Sequence, residues 1–190
     1  MNVLLHLCAD VGSDSKPFVD NGYTVIKVGI DIGVENYTPP ANVFGVIANP
    51  PCTEFSTARA DGKARNPDEG MFLVEHCLRI IKECNPKFWV IENPNSGYLK
   101  RFLGKPALVF QPYEYGDPYT KKTALWGMFN EPVKNIVEPK RGTMVKYASD
   151  FKDIKPVDKV YRDKLGTDSR TIRRSITPNG FAKQFYEANK

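Results

Sequence analysis

Val43-Phe44-Gly45-Val46-Ile47-Ala48-Asn49-Pro50-Pro51-Cys52 and Phe88-Trp89-Val90-Ile91-Glu92-Asn93-Pro94 decide the fold of this chain. Each begins as an apolar run of β-branched and aromatic residues, the composition of a buried strand, and each halts in a polar turn that carries proline. Proline has no N–H to give a central ladder, so the chain must leave the sheet at Pro50 and again at Pro94. Between the two runs, Asn66-Pro67-Asp68-Glu69 has the pattern of a helix start. Asn66 is the N-cap, proline takes the first helical position, and Glu69 stands three residues after the cap. Leu73, Cys77, Ile80 or Ile81, and Cys84 recur at helical spacing, and Asn85-Pro86 ends the helix. Cys77 and Cys84 are therefore read as core.

Outward from this unit the same alternation continues. Asn2 to Leu7 suits a buried strand feeding the turn Cys8-Ala9-Asp10-Val11-Gly12-Ser13, Ser15 to Asn21 suits a short helix, and Tyr23 to Gly29 is a second β-branched run. Alternating strands and helices build a mostly parallel sheet with helices on both faces, an α/β fold. Further on, Ala124 to Gly127 reads as a strand, Asn130 to Thr167 as irregular, and Gly180 to Asn189 as a terminal helix.

With 190 residues, 41% of them hydrophobic, the chain suits one well-buried core, and residues 1–190 are read as a single domain. It contains no apolar run near the roughly 20 residues of a membrane span. The N-terminus lacks a basic region and a small-residue cleavage site, so a soluble, cytoplasmic protein is expected, with no membrane partner. Four cysteines without a C-x-x-C pair, and only two histidines, argue against a zinc site, and no metal is expected. The net charge of +5 is unevenly placed: Val133 to Arg174 holds 12 Lys or Arg against 6 Asp or Glu. This basic, irregular segment, at about 130–175, would attract phosphate backbones, although a solvated lysine-rich surface is the alternative.

The chemistry lies where the two quoted strands end. Ligands of open α/β sheets bind beyond the carboxyl ends of the strands, which puts the Cys52 thiol and the Glu92 carboxyl at one edge, within reach of one small ring. Alone, Cys52 could be a small buried residue in a tight loop, and Glu92 a cap or a surface charge. Their joint occurrence, separated by one helix, favours a shared site.

Pro50-Pro51-Cys52-Thr53-Glu54-Phe55-Ser56 and Glu92-Asn93-Pro94 resemble the Pro-Cys catalytic loop and the Glu-Asn motif of the cytosine C5 DNA methyltransferases. Gly116-Asp117-Pro118-Tyr119-Thr120-Lys121-Lys122-Thr123 is similar to a diverged form of that family's basic substrate motif. Tyr115 to Trp126 and the terminal Thr177-Pro178-Asn179-Gly180-Phe181-Ala182 are similar to its compact phage subgroup. The resemblance implies a Rossmann-like methyltransferase domain that transfers a methyl group from S-adenosylmethionine to cytosine in DNA, duplex or single-stranded. It implies Cys52 as nucleophile and Glu92 as proton donor, with Asn93, Lys121, Lys122 and Thr123 binding substrate. Cys8, Asp10, Gly12, Asp31 and Pro50 are the implied cofactor residues.

The chain departs from the family in the cofactor turn, where Cys8 takes the aromatic position and Asp10 that of the first glycine, leaving Gly12. Asp31, with Glu35 behind it, is the candidate for the ribose hydroxyls. From Asp31 to Val43 there is too little chain for the family's next strand and helix, so that part of the sheet is expected to be missing. Lys121 and Thr123 stand where the family uses arginines, and threonine cannot supply a bidentate fork. The stretch from Trp126 to the terminal helix is short for a separate target-recognition domain, which points to low specificity, recognition by a partner, or unpaired DNA.

Two other readings stay open. One is a catalytically silent relative that binds nucleic acid or a nucleotide. The other is an amino-methyltransferase, since Asn49-Pro50-Pro51 resembles the Asn-Pro-Pro motif of those enzymes. There the following residue is normally aromatic, so Cys52 and the later Glu92-Asn93 favour carbon 5.

Overall fold

The computed structural model describes residues 2–9, 11–56, 64–140, 163, 172 and 174–190. Six strands form one sheet: β1 (Val3–Leu7), β2 (Thr24–Val28), β3 (Val43–Ala48), β4 (Phe88–Pro94), β5 (Leu108–Phe110) and β6 (Thr123–Met128). Among the described residues the α-helices are α1 (Lys16–Asp20), α2 (Pro67–Cys84), α3 (Lys100–Leu103) and, near the end of the chain, α4 (Asn179–Asn189).

The sheet order is β2-β1-β3-β4-β6-β5. β1 pairs parallel with β2 and with β3, and β3 pairs parallel with β4. β6 then runs antiparallel to both β4 and β5. The chain passes from β2 to β3 with no further strand or helix between them, as the short interval predicted. β2 is consequently an edge.

Side chains alternate across the sheet, as the two-residue period of a strand requires. Leu5, Leu7, Val46, Ile91 and Trp126 face one core, which α2 closes with Val74, Cys77, Ile80 and Ile81. Leu4, Ile47, Val90, Leu125 and Phe110 face the other, closed by Phe18 of α1 and by Phe181, Phe185 and Tyr186 of α4. The second core is aromatic: the Phe110 and Phe181 rings stack at 3.8 Å, and Phe18 meets Tyr186 edge-on at 5.0 Å. Helices on both faces thus enclose the sheet.

The helix start read at Asn66 is present, its side chain accepting from the Glu69 N–H, and Asn85 ends α2 in the left-handed conformation. β4 extends further than its prolines suggest. On the β3 side its ladder stops at Ile91, but on the other side Glu92, Asn93 and Pro94 still pair with Leu125, Ala124 and Thr123 of β6. A strand with partners of opposite direction on its two sides can end on one before the other, and Pro94, the last residue, interrupts no central ladder. β5, three residues long, and α3, four residues long, are too short to show a period in the sequence. Most of the basic segment lies outside the described residues.

Candidate active site

Parallel pairing of β3 and β4, with Ala48 opposite Ile91, brings the loop after Ala48 beside Glu92. That loop is tightly held. The Phe55 and Ser56 N–H groups donate back to the Cys52 carbonyl at 3.0 and 2.7 Å, and the fully buried Phe55 is anchored in turn by the Tyr98 N–H on its carbonyl. Asn93 donates its side-chain amide to the Pro50 carbonyl at 3.0 Å. Asn93 is 1% exposed and its Oδ1 has no hydrogen-bond partner among the described residues. Expected to bind substrate, its amide instead sits behind the Pro50-Pro51-Cys52 turn and fixes it. Pro50, a cofactor candidate, is buried and serves the same contact.

Cys52 and Glu92 are both half-buried, and the Glu92 charge acts on the Cys52 thiol. Burial pushes the Cys52 thiol above its ordinary value, and the Glu92 charge adds to this, while Lys121 and Arg174 oppose it. Burial likewise raises the Glu92 carboxyl, with Asp14 adding to the rise and Lys121 and a hydrogen bond from Asn49 opposing it. Lys121 favours the charged form of both groups, and Arg174 that of the Cys52 sulfur. Arg174, from the segment before α4, carried no signal in the sequence beyond its charge, because its approach to Cys52 is purely tertiary.

The remaining candidates divide sharply. Lys121 donates its ammonium to the Ile176 carbonyl at 3.0 Å and acts on both Cys52 and Glu92. Lys122 is exposed, and its carbonyl accepts from the Asn95 N–H. Thr123 is 1% exposed and donates its hydroxyl to the Lys121 carbonyl, so it shapes the turn before β6. Asp117 of the same segment accepts from the Gly180 N–H at 2.7 Å and from Phe181. It thereby caps α4, whose own N-cap, Pro178, has no side chain for that purpose.

Beneath Glu92, toward α4, lies a void of about 20 Å³ lined also by Asp14, Val90, Thr177, Phe181 and Phe185. It has room for a single water, and Cys52 is not on its wall.

At the cofactor turn, Gly12 has φ +73°, open to glycine at no steric cost. The space that a Cβ would fill there is taken by the end of the Lys27 side chain, which is exposed and flexible. Cys8 also has a positive φ, of 53°, and its sulfur lies 3.9 Å from that of Cys77, directed at α2 and away from the cradle. Asp31 is exposed just past β2, at the same sheet edge. Asp10 lies outside the described residues.

Residues 24–97, which include both strand ends, match the family model described as C-5 cytosine-specific DNA methylase. Over this segment the chain is similar to the C-5 cytosine-specific DNA methylases. Over 113 residues the chain is 31% identical to a probable DNA (cytosine-5)-methyltransferase of Frog virus 3 (isolate Goorha), covering 51% of this chain and 53% of that protein. The fold is similar to that of a solved structure described as a DNA modification methyltransferase encoded within prophage Cp (E. coli). That match has a TM-score of 0.50 and 17% identity, over 78% of this chain and 54% of the other. The chain therefore spans about half the length of the relatives it matches. Among the described residues no helix is long and apolar enough to cross a membrane.

Proposed function

We propose that this protein methylates carbon 5 of cytosine in DNA, with Cys52 as nucleophile and Glu92 as proton donor. The observation that carries the reading is the pairing at one sheet edge of a thiol and a desolvated carboxyl, with the Lys121 ammonium acting on both. Carbon 5 is too poor a nucleophile to take a methyl group unaided. Addition of the Cys52 sulfur to carbon 6 makes the ring an enamine, and a proton from Glu92 to N3 relieves the charge that arrives with it. Burial raises the Glu92 carboxyl, which is the direction a proton donor needs. Lys121 lies where it would stabilise negative charge on the ring carbonyl or on sulfur.

S-adenosylmethionine would supply the methyl group. The residues present suit it in two respects. Gly12 lets a ligand approach the backbone once Lys27 swings out, a small movement for an exposed side chain, and Asp31 stands at the end of the adjacent strand to receive ribose hydroxyls. Lys27 would then be free to pair with the ligand's carboxylate.

The amino-methyltransferase reading is disfavoured by one contact. Such an enzyme would use the Asn49 side-chain amide oxygen to accept from a substrate amine, yet here Oδ1 accepts from His6 Nε2 at 2.7 Å. The decisive experiment is covalent trapping. DNA containing 5-fluorocytosine, duplex and unpaired, should form an adduct with the protein when S-adenosylmethionine is present, because fluorine blocks the proton loss that releases the enzyme. Cys52→Ser should form none. Methyl transfer that survives Cys52→Ser unchanged refutes the carbon-5 mechanism, and absence of cofactor binding by calorimetry at millimolar concentration favours the silent, nucleic-acid-binding relative.

A further inference from the structure

A buried polar chain runs behind Glu92, and neither the methylase resemblance nor the mechanism above accounts for it. His6 sits mid-sheet on β1 at 1% exposure, among apolar neighbours, so it must be fully hydrogen-bonded to be tolerated there. Its Nδ1 meets the Ser15 hydroxyl at 2.8 Å, and its Nε2 meets Asn49 Oδ1 at 2.7 Å. The Asn49 amide nitrogen donates to Asp14 Oδ2 at 2.9 Å. With Ala48 opposite Ile91, Asn49 stands beside Glu92 on the neighbouring strand end, and its side chain favours the charged form of that carboxyl. Asp14 accepts only, so the orientation of the Asn49 amide is decided: NH2 toward the carboxyls, oxygen toward the imidazole N–H. The Ser13 hydroxyl, one residue before Asp14, accepts from the Thr177 N–H at 2.9 Å, which closes the network against the segment leading into α4.

We propose that Asn49 and Asp14 are positioning residues for Glu92, the Asn49 amide bridging the two carboxyls and His6 locking that amide in place. The proposal rests on Glu92 as the proton donor of the reaction. A carboxyl at a strand end is otherwise free to rotate, and one amide with two donor hydrogens is the simplest device for holding two carboxyls at fixed distance. The two partners act on Glu92 in opposite senses: the Asn49 donor favours its charged form and the nearby Asp14 charge disfavours it. Among the described residues, the other charged or titratable groups around Glu92 are Lys121, from the segment before β6, Cys52, from the loop after β3, and, behind Asn49, His6, whose Nε2 lies 3.8 Å from Asp14. The loop that follows Gly12, itself a cofactor candidate, thus shares one hydrogen-bond network with the proton donor.

The test is a carboxyl titration of the full chain by carbon-13 NMR with labelled glutamate, Glu92 being assigned by the signal that Glu92→Gln removes. Asp14→Asn, nearly isosteric, should move the Glu92 midpoint to lower pH. Asn49→Ala should move it to higher pH and slow 5-fluorocytosine adduct formation about tenfold or more. A residue that served only the fold would not shift one carboxyl in opposite directions. An unmoved midpoint in either variant, with native melting behaviour retained, overturns the proposal. Wild-type trapping separates the two readings: opposite shifts without any adduct keep the network and discard the carbon-5 chemistry, while adduct with unmoved midpoints discards the network alone.

Discussion

Burial first, and the Glu92 charge after it, make the Cys52 thiol resist ionisation. Glu92→Gln removes the charge that raises the thiol, so iodoacetamide should label Cys52 severalfold faster at pH 8, as read by peptide mass spectrometry. Lys121→Met removes an opposing charge and should slow the same labelling. Either variant moving the rate the other way would break the coupling of the three groups. The sign for folding also follows. Glu92 has its carboxyl raised in the folded state, so the folded protein holds a proton that the unfolded chain gives up, and this contribution to stability is full at low pH and lost as pH rises through the folded value. Glu92→Gln should therefore melt at or above the native temperature at pH 8, with the difference shrinking toward pH 4. A lower melting temperature at pH 8 would contradict a desolvated carboxylate there.

At the scale of elements, two local devices can be tested without reference to function. Asn66 caps α2 through its side chain, so Asn66→Ala should cost about 1 kcal/mol in urea unfolding. Gly127 of β6 is a matter of close approach. A Cβ there would collide with the Trp89 carbonyl oxygen of β4, so Gly127→Ala should part the β4–β6 ladder and lower stability by several times the Asn66→Ala effect. Helix starts and strand cores of this kind were readable from spacing and capping chemistry. The short β5 and α3 were not, because three or four residues carry too little periodicity, and pairing with β6 makes Leu108–Phe110 a strand.

For the whole molecule, α4 is the clamp that closes the aromatic core beneath Glu92. Phe185 contacts Phe88, Phe129 and Phe181, and Phe185→Ala should cost about 3–5 kcal/mol in the same unfolding assay. The chain carries its excess of positive charge between Val133 and Arg174, so binding of mixed-sequence DNA should weaken steeply from 50 to 200 mM salt. A salt-independent affinity would remove phosphate contact as its source.

Read alone, the sequence determined the alternation of strands and helices, the strand ends that carry Cys52 and Glu92, the α2 start at Asn66 and the missing sheet element after Asp31. These are legible because period, proline and capping are local. Tertiary structure decided which groups meet. It turned Asn93 inward onto Pro50, gave Thr123 to a turn and Asp117 to the cap of α4, directed the Cys8 sulfur at Cys77, and laid Lys27 over Gly12. It also brought Lys121 and Arg174 to Cys52, and His6, Asp14 and Asn49 behind Glu92. The direction of a side chain and the charge facing it depend on segments far apart in the chain, and pattern along one strand contains no record of which distant segment packs there.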